Sequence, residues 1–196
     1  MLRAALPAAP ALLACLVAVG AWSVAPPAVE SQDNPFVVVS LSDGGRIVIE
    51  LFPSEVPETV ANFRQLVSDR YYDGLVFHRV DDWVVQTGSI NGDGTGGPPW
   101  SIELEVSKHA NTRGAVGMAR EDYAPNSASS QFYVLTKDAL RLDDPRSTRD
   151  GYTYSVFGRV VEGMTVVDSM KAGAEIVSAR EVPYTELPAG SAPTAQ

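Results

Sequence analysis

Between Phe36 and Ala179 the chain is a succession of short β-type runs set off by turn residues, and this punctuation restricts it to a closed or stacked sheet. The runs Phe36-Val37-Val38-Val39-Ser40-Leu41 and Arg46-Ile47-Val48-Ile49-Glu50-Leu51-Phe52 flank Ser42-Asp43-Gly44-Gly45, which is a hairpin signature. Pro53 ends the second run because it cannot donate to a strand ladder. Further β-type runs cover residues 75–80, 84–86, 102–106, 115–119, 130–136, 155–160 and 174–179. Helical spacing is confined to two stretches. Pro57-Glu58-Thr59 opens the first, with a proline suited to a first turn and an acid suited to the helix dipole. Val60, Phe63, Leu66 and Val67 form its apolar face, and Tyr72-Asp73-Gly74 turns the chain back into strand. Met164, Val167 and Met170 mark a second, shorter helix in 163–172. Many short strands with two helices predict a mainly β barrel or sandwich in which the helices act as plugs.

The ends read differently. Met1-Leu2-Arg3 carries one positive charge, and the run from Ala4 to Ala21 has no charge and is rich in Ala, Leu and Val. This is the pattern of a secretory signal peptide or an uncleaved membrane anchor over residues 1–28, with Ala21, Ala25 and Ala28 as alternative cleavage positions. Leu12-Leu13-Ala14-Cys15 resembles a lipoprotein box, which leaves acylation of Cys15 as an alternative. The expected location is therefore exported, periplasmic or secreted, with membrane contact only through this segment. Residues 29–35 read as a linker, 36–180 as the folded domain and 181–196, with Pro183, Pro188 and Pro193, as a disordered tail. Cys15 is the single cysteine, so a domain from which the leader is removed has no disulfide, thiolate or cysteine-ligated metal site. The net charge of −9 argues against nucleic acid as a partner, which requires a basic surface. A monomer is the default.

The chemistry available is narrow. His78 and His109 are the only histidines, and no Gly-x-Ser-x-Gly elbow exists to present a nucleophile. Alternation along the run puts Phe77 and Arg79 on one face and His78 on the other, so His78 reads as a core histidine inside the barrel. No zinc set is available. The glycine-rich loop over 87–99 is not followed by the amphipathic helix that a dinucleotide fingerprint needs. Ser89, Asn91, Asp93 and Thr95 alternate as calcium ligands would, but Trp100 stands where the loop needs a bidentate acid. The pairs Asp81-Asp82 and Asp143-Asp144 read as solvated surface. What remains is an apolar, aromatic surface with uncharged donors and a permanent cation, Arg79. An arginine on an apolar strand ordinarily snorkels or pairs with an acid. Its neighbours here suit a peptide groove, or chemistry without nucleophile, metal or cofactor.

Phe77-His78-Arg79-Val80 with Val84-Val85-Gln86, then Gly94-Thr95-Gly96-Gly97, Gly117-Met118-Ala119-Arg120 and Ser130-Gln131-Phe132-Tyr133, resemble the cyclophilin family of peptidyl-prolyl cis–trans isomerases. Val156-Phe157-Gly158-Arg159-Val160 and Glu162-Gly163-Met164 match the late strand and helix of that family, and the bacterial, exported, single-domain branch is the nearest fit. The resemblance implies a closed eight-stranded antiparallel barrel capped by two helices, with the active groove on its outer face. It implies Arg79 as the catalytic arginine and Gln86 as its hydrogen-bonding glutamine. It implies Trp83, Val84, Tyr133 and Leu142 as the walls of a proline pocket, with Tyr154 in place of a frequent histidine. Gly94, Ala119, Arg120 and Gln131 would line the groove for residues before the proline, and the Arg120 backbone would pair with the substrate backbone. No cofactor is implied. The partners implied are proline-containing peptides and unfolded proteins, and the activity is rotamase activity during folding of exported proteins; the alternative is a non-catalytic peptide-binding or chaperone module on the same fold. The segment between Arg79 and Gln86 is one residue shorter than the family pattern, which leaves its register open by one. Arg141 or Leu140 replaces the tryptophan associated with tight cyclosporin binding, so weak affinity for that ligand is expected.

Overall fold

A computed structural model describes residues 34–187 of the chain. The leader expected over 1–28, most of the linker and the end of the tail lie outside the described residues. The described residues form one antiparallel sheet rolled into a barrel. Its strands are β1 (Phe36–Leu41), β2 (Arg46–Leu51), β3 (Val76–Phe77), β4 (Arg79–Val80), β5 (Val84–Thr87), β6 (Ala115–Met118), β7 (Phe132–Leu135), β8 (Val156–Glu162) and β9 (Ala174–Val182). They follow the order β3-β9-β1-β2-β8-β6-β7-β5-β4.

The two ends of that order, β3 and β4, are separated in the chain by His78 alone. The barrel therefore closes through the covalent chain. One run pairs with β9 through Val76 and Phe77, crosses His78, and pairs with β5 through Arg79 and Val80. Nine strands are present, against the eight expected, because this run is broken in two. The break also corrects the expected facing of His78. Phe77 is buried in the core and Val80 packs against it, so both adjacent residues between them, His78 and Arg79, point outward. His78 lies half-buried against Gly94 of the glycine-rich loop, and is not a core residue. Burial holds its imidazole below the ordinary value, with the nearby charge of Asp93 pulling the other way.

Helix α1 (Pro57–Ser68) plugs the barrel with Phe63, which is fully buried. Its ring meets Phe132 edge-on at 5.3 Å, Tyr72 at 5.4 Å and Phe157 at 4.9 Å. The helix has no side-chain cap of its own. Glu105 supplies one from a distant loop, accepting from the Glu58 N–H at 3.1 Å and from the Thr59 N–H and hydroxyl at 2.7 Å each. A carboxylate on these first-turn donors satisfies groups that the helix itself leaves unpaired. That use of Glu105 accompanies a correction. The expected run over 102–106 is no strand; it makes one isolated bridge, Ile102 to Ala128, and Ile102 packs against the core.

The last strand passes the expected boundary at 180. Glu181 and Val182 continue the ladder opposite Val37 and Phe36, and Arg64 of α1 grips the Glu181 carboxylate with two bonds of 2.8 Å. A single-turn 3-10 helix, Tyr184–Glu186, follows. Helix α2 (Met164–Ser169) covers the other end and buries Val167.

Candidate active site

The β4–β5 hairpin sets the site. Arg79 stands directly opposite Gln86, and Val80 opposite Val85. The Asp81 N–H donates to the Val84 carbonyl at 2.8 Å, so Asp82 and Trp83 alone make the turn. The shortened segment is absorbed in this tight turn, and the pairing of Arg79 with Gln86 settles the register that the sequence left open. The Thr136 N–H donates to the Trp83 carbonyl at 3.0 Å and fastens the turn to the end of β7.

Opposed residues share a sheet face, and here they touch. Arg79 Nη1 donates to Gln86 Oε1 at 3.3 Å. Gln86 Nε2 donates to Gln131 Oε1 at 2.9 Å, and Gln131 Nε2 donates to the Gly94 carbonyl at 2.9 Å. A line of amides thus joins the arginine to the glycine-rich loop. Within that loop Asp93 Oδ1 accepts from the N–H and hydroxyl of Thr95, which holds its carboxyl below the usual range. Ser89 and Asn91 likewise bond inward to Thr95, so the loop's polar groups are used on one another. Among the described residues no cluster of acids, histidines and cysteines could hold a metal ion.

Next to Arg79 lies a cavity of about 370 Å³. Its walls include Trp83, Val84, Tyr133 and Leu142, with Ala119, Arg120 and Tyr154 beyond them, and Arg79 and Gln86 at one side. Leu142 comes from a 3-10 turn (Leu140–Leu142), and its carbonyl accepts from the Tyr154 N–H at 3.0 Å, so these two walls are tied together. Gln131 and Gly94 are not in this lining and flank it through the amide line.

Tyr133 forms the floor. Its ring lies over Gly117, where any Cβ would overlap it. Its hydroxyl donates to Asn111 Oδ1 at 2.6 Å, and Asn111, itself fully buried, donates from Nδ2 to Asp143 at 2.6 Å. Burial, and then the charge of Asp143, push the Tyr133 phenol well above its ordinary range. Asp143 therefore braces the floor and is not the solvated acid expected.

Arg120 lines the cavity, and its guanidinium is almost wholly buried against Asp150, with bonds of 2.6 and 3.0 Å. It also donates to the Tyr152 carbonyl at 2.7 Å and lies 4.3 Å over the Tyr154 ring. The backbone N–H and C=O of Arg120 form no hydrogen bond among the described residues. The sequence reading missed three acids. Asp150 pairs with Arg120, and Asp122 lines the cavity, where it accepts from the Tyr154 hydroxyl at 3.3 Å. Asp81, expected to be solvated, accepts from Arg79 Nε at 2.7 Å.

Residues 36–187 match the family model described as cyclophilin type peptidyl-prolyl cis-trans isomerase/CLD. The chain belongs to this family. It is 40% identical over 136 residues to the peptidyl-prolyl cis-trans isomerase cyp18 of Streptomyces antibioticus, a match covering 66% of this chain and 80% of the relative. It is 38% identical over 136 residues to peptidyl-prolyl cis-trans isomerase B of Bacillus subtilis, covering 68% of this chain and 88% of that protein. Among solved structures, a Cryptosporidium parvum cyclophilin type isomerase superimposes with a TM-score of 0.64 at 23% identity, covering 76% of this chain and 98% of that one. The same parasite protein in the presence of the dipeptide Ala-Pro gives a TM-score of 0.63, covering 74% and 97%. These two structures share the barrel of this cyclophilin-type chain.

Proposed function

We propose that the protein accelerates cis–trans rotation of X–Pro peptide bonds, with Arg79 as donor and the adjoining cavity as the proline site. The observation that carries this reading is an arginine fixed at the side of a cavity whose apolar and aromatic walls are Trp83, Val84, Tyr133 and Leu142, beside a backbone edge at Arg120 with no internal partner among the described residues.

The C–N bond of an amide has partial double-bond character, and its rotation barrier is about 18–20 kcal/mol. Uncatalysed X–Pro exchange therefore takes about tens to hundreds of seconds. In the twisted state the nitrogen lone pair leaves conjugation and accepts a hydrogen bond that the planar amide cannot. A guanidinium N–H aimed at that nitrogen binds the twisted state in preference to the ground state, which is the requirement for catalysis. One charged hydrogen bond is worth roughly 1.5–3 kcal/mol, whereas a millionfold acceleration needs about 8 kcal/mol. The remainder falls to the pocket: Val84, Tyr133 and Leu142 hold the ring and exclude water, and the free Arg120 edge fixes the preceding residues while the amide turns.

The substrates we propose are proline-containing segments of unfolded exported proteins. Support for export comes from the charge-free run between Ala4 and Ala21 behind Arg3. Among the described residues no helix is long and apolar enough to cross a membrane. NMR exchange spectroscopy on a short X–Pro peptide tests the activity. Catalytic amounts of the chain should bring cis and trans resonances into exchange. Peptide shifts on binding without any gain in exchange rate would leave a binding module in place of an enzyme.

A further inference from the structure

We propose that Asp81 is a positioning residue for Arg79, an inference that rests on the isomerase reading above. Arg79 and Asp81 are two apart on one run and so share a face. The Arg79 Nε to Asp81 Oδ2 distance is 2.7 Å, a short charge-assisted bond, whereas Gln86 takes Nη1 at a longer 3.3 Å. An arginine side chain has many rotamers, and apart from Asp81 the guanidinium is held only by the long bond to Gln86 and a loose approach to the Trp83 ring, 5.3 Å from its centroid. A second anchor on Nε fixes the plane of the fork. Nη2 then has no hydrogen-bond partner among the described residues and is left as the spare donor for substrate.

The short turn supplies this anchor. The bond from the Asp81 N–H to the Val84 carbonyl fixes the backbone that carries the carboxylate. The next residue, Asp82, turns its carboxylate to Lys137 at 3.0 Å, so the two adjacent acids have different partners. Arg79 and Asp81 are each 44% exposed, and such a pair adds little to stability. Its consequence is orientation.

The test compares the full chain with Asp81→Ala, Asp81→Asn and Arg79→Ala in catalysed exchange of an X–Pro peptide, with kcat and KM measured separately. Asp81→Ala should lower kcat about two- to tenfold, the factor associated with freezing one rotamer-rich side chain. KM should change little, and Tm should fall by no more than about 2–4 °C. Asp81→Asn keeps an acceptor oxygen without the charge and should recover more than half of the lost kcat. Wild-type kcat in Asp81→Ala would overturn the inference. Faster exchange in both Asp81 variants would also overturn it, since the carboxylate would then be damping the arginine's charge. An inactive wild-type chain would overturn the isomerase reading itself, and an active wild type with an unaffected Asp81→Ala would overturn this inference alone.

Discussion

Tyr133→Phe removes one oxygen from the floor of the proline site and leaves its shape intact. The hydroxyl donates at 2.6 Å to Asn111 Oδ1, and neither Tyr133 nor Asn111 is open to water. The Asn111 amide keeps its bond to Asp143 at 2.6 Å, so the variant strands one buried acceptor and leaves the donors paired. An unpaired buried acceptor costs about 1–3 kcal/mol, which for a domain of this size lowers Tm by about 2–4 °C per kcal/mol. A second readout separates this bond from a general packing effect. Burial and the Asp143 charge raise the folded-state pKa of Tyr133 above the unfolded one. The stabilisation from keeping its proton is therefore fully present below an unfolded pKa of about 10 and is lost as pH rises toward the folded value. In that alkaline window the wild type should lose about 1.4 kcal/mol per pH unit through this residue, and Tyr133→Phe should lose that slope. Urea unfolding at neutral pH and at several pH values above 10 measures both. An unchanged unfolding free energy at neutral pH with an unchanged alkaline slope would refute the reasoning, because the hydroxyl would then be hydrated and not bonded to Asn111.

Other consequences concern the frame around the site. Glu105→Ala should cost about 0.5–2 kcal/mol in urea unfolding, the ordinary value of a helix cap, because it strips the first turn of α1 of its carboxylate. Gly117→Ala should cost about 1–3 kcal/mol through overpacking against the Tyr133 ring, and should weaken binding of an X–Pro peptide measured by calorimetry. Asp150→Ala should free the segment that Arg120 holds, seen as faster limited proteolysis within residues 143–152 at a nearly unchanged rate of global unfolding.

Local pattern carried much of this architecture. The β1–β2 hairpin and the apolar face of α1 follow from alternation, turn residues and 3.6-residue spacing, and Val60, Phe63, Leu66 and Val67 are all buried as that spacing requires. His78 was not legible because alternation holds only while a strand keeps one partner, and this run changes from β9 to β5 at that residue. The acids were not legible for a related reason. Asp81 looks solvated until the turn fixes it on Arg79's own face, and Asp150 reaches Arg120 across a fold that brings distant segments together. Glu105 reads as part of an alternating run, yet its carboxylate is used by a helix that begins at Pro57. In each case a side chain is assigned by a tertiary neighbour, and single-sequence periodicity holds no record of it.

The most direct measurement is catalysed exchange of an X–Pro peptide by the wild-type chain and by Arg79→Ala, with peptide affinity and Tm measured on the same samples. Arg79 is half-exposed, and its removal should leave folding intact. The account predicts fast exchange in the wild type and loss of roughly 10- to 100-fold in Arg79→Ala, the equivalent of one charged hydrogen bond made to the twisted amide, with peptide affinity nearly retained. Equal exchange rates in the two proteins would contradict it and place the catalytic donor elsewhere in the groove.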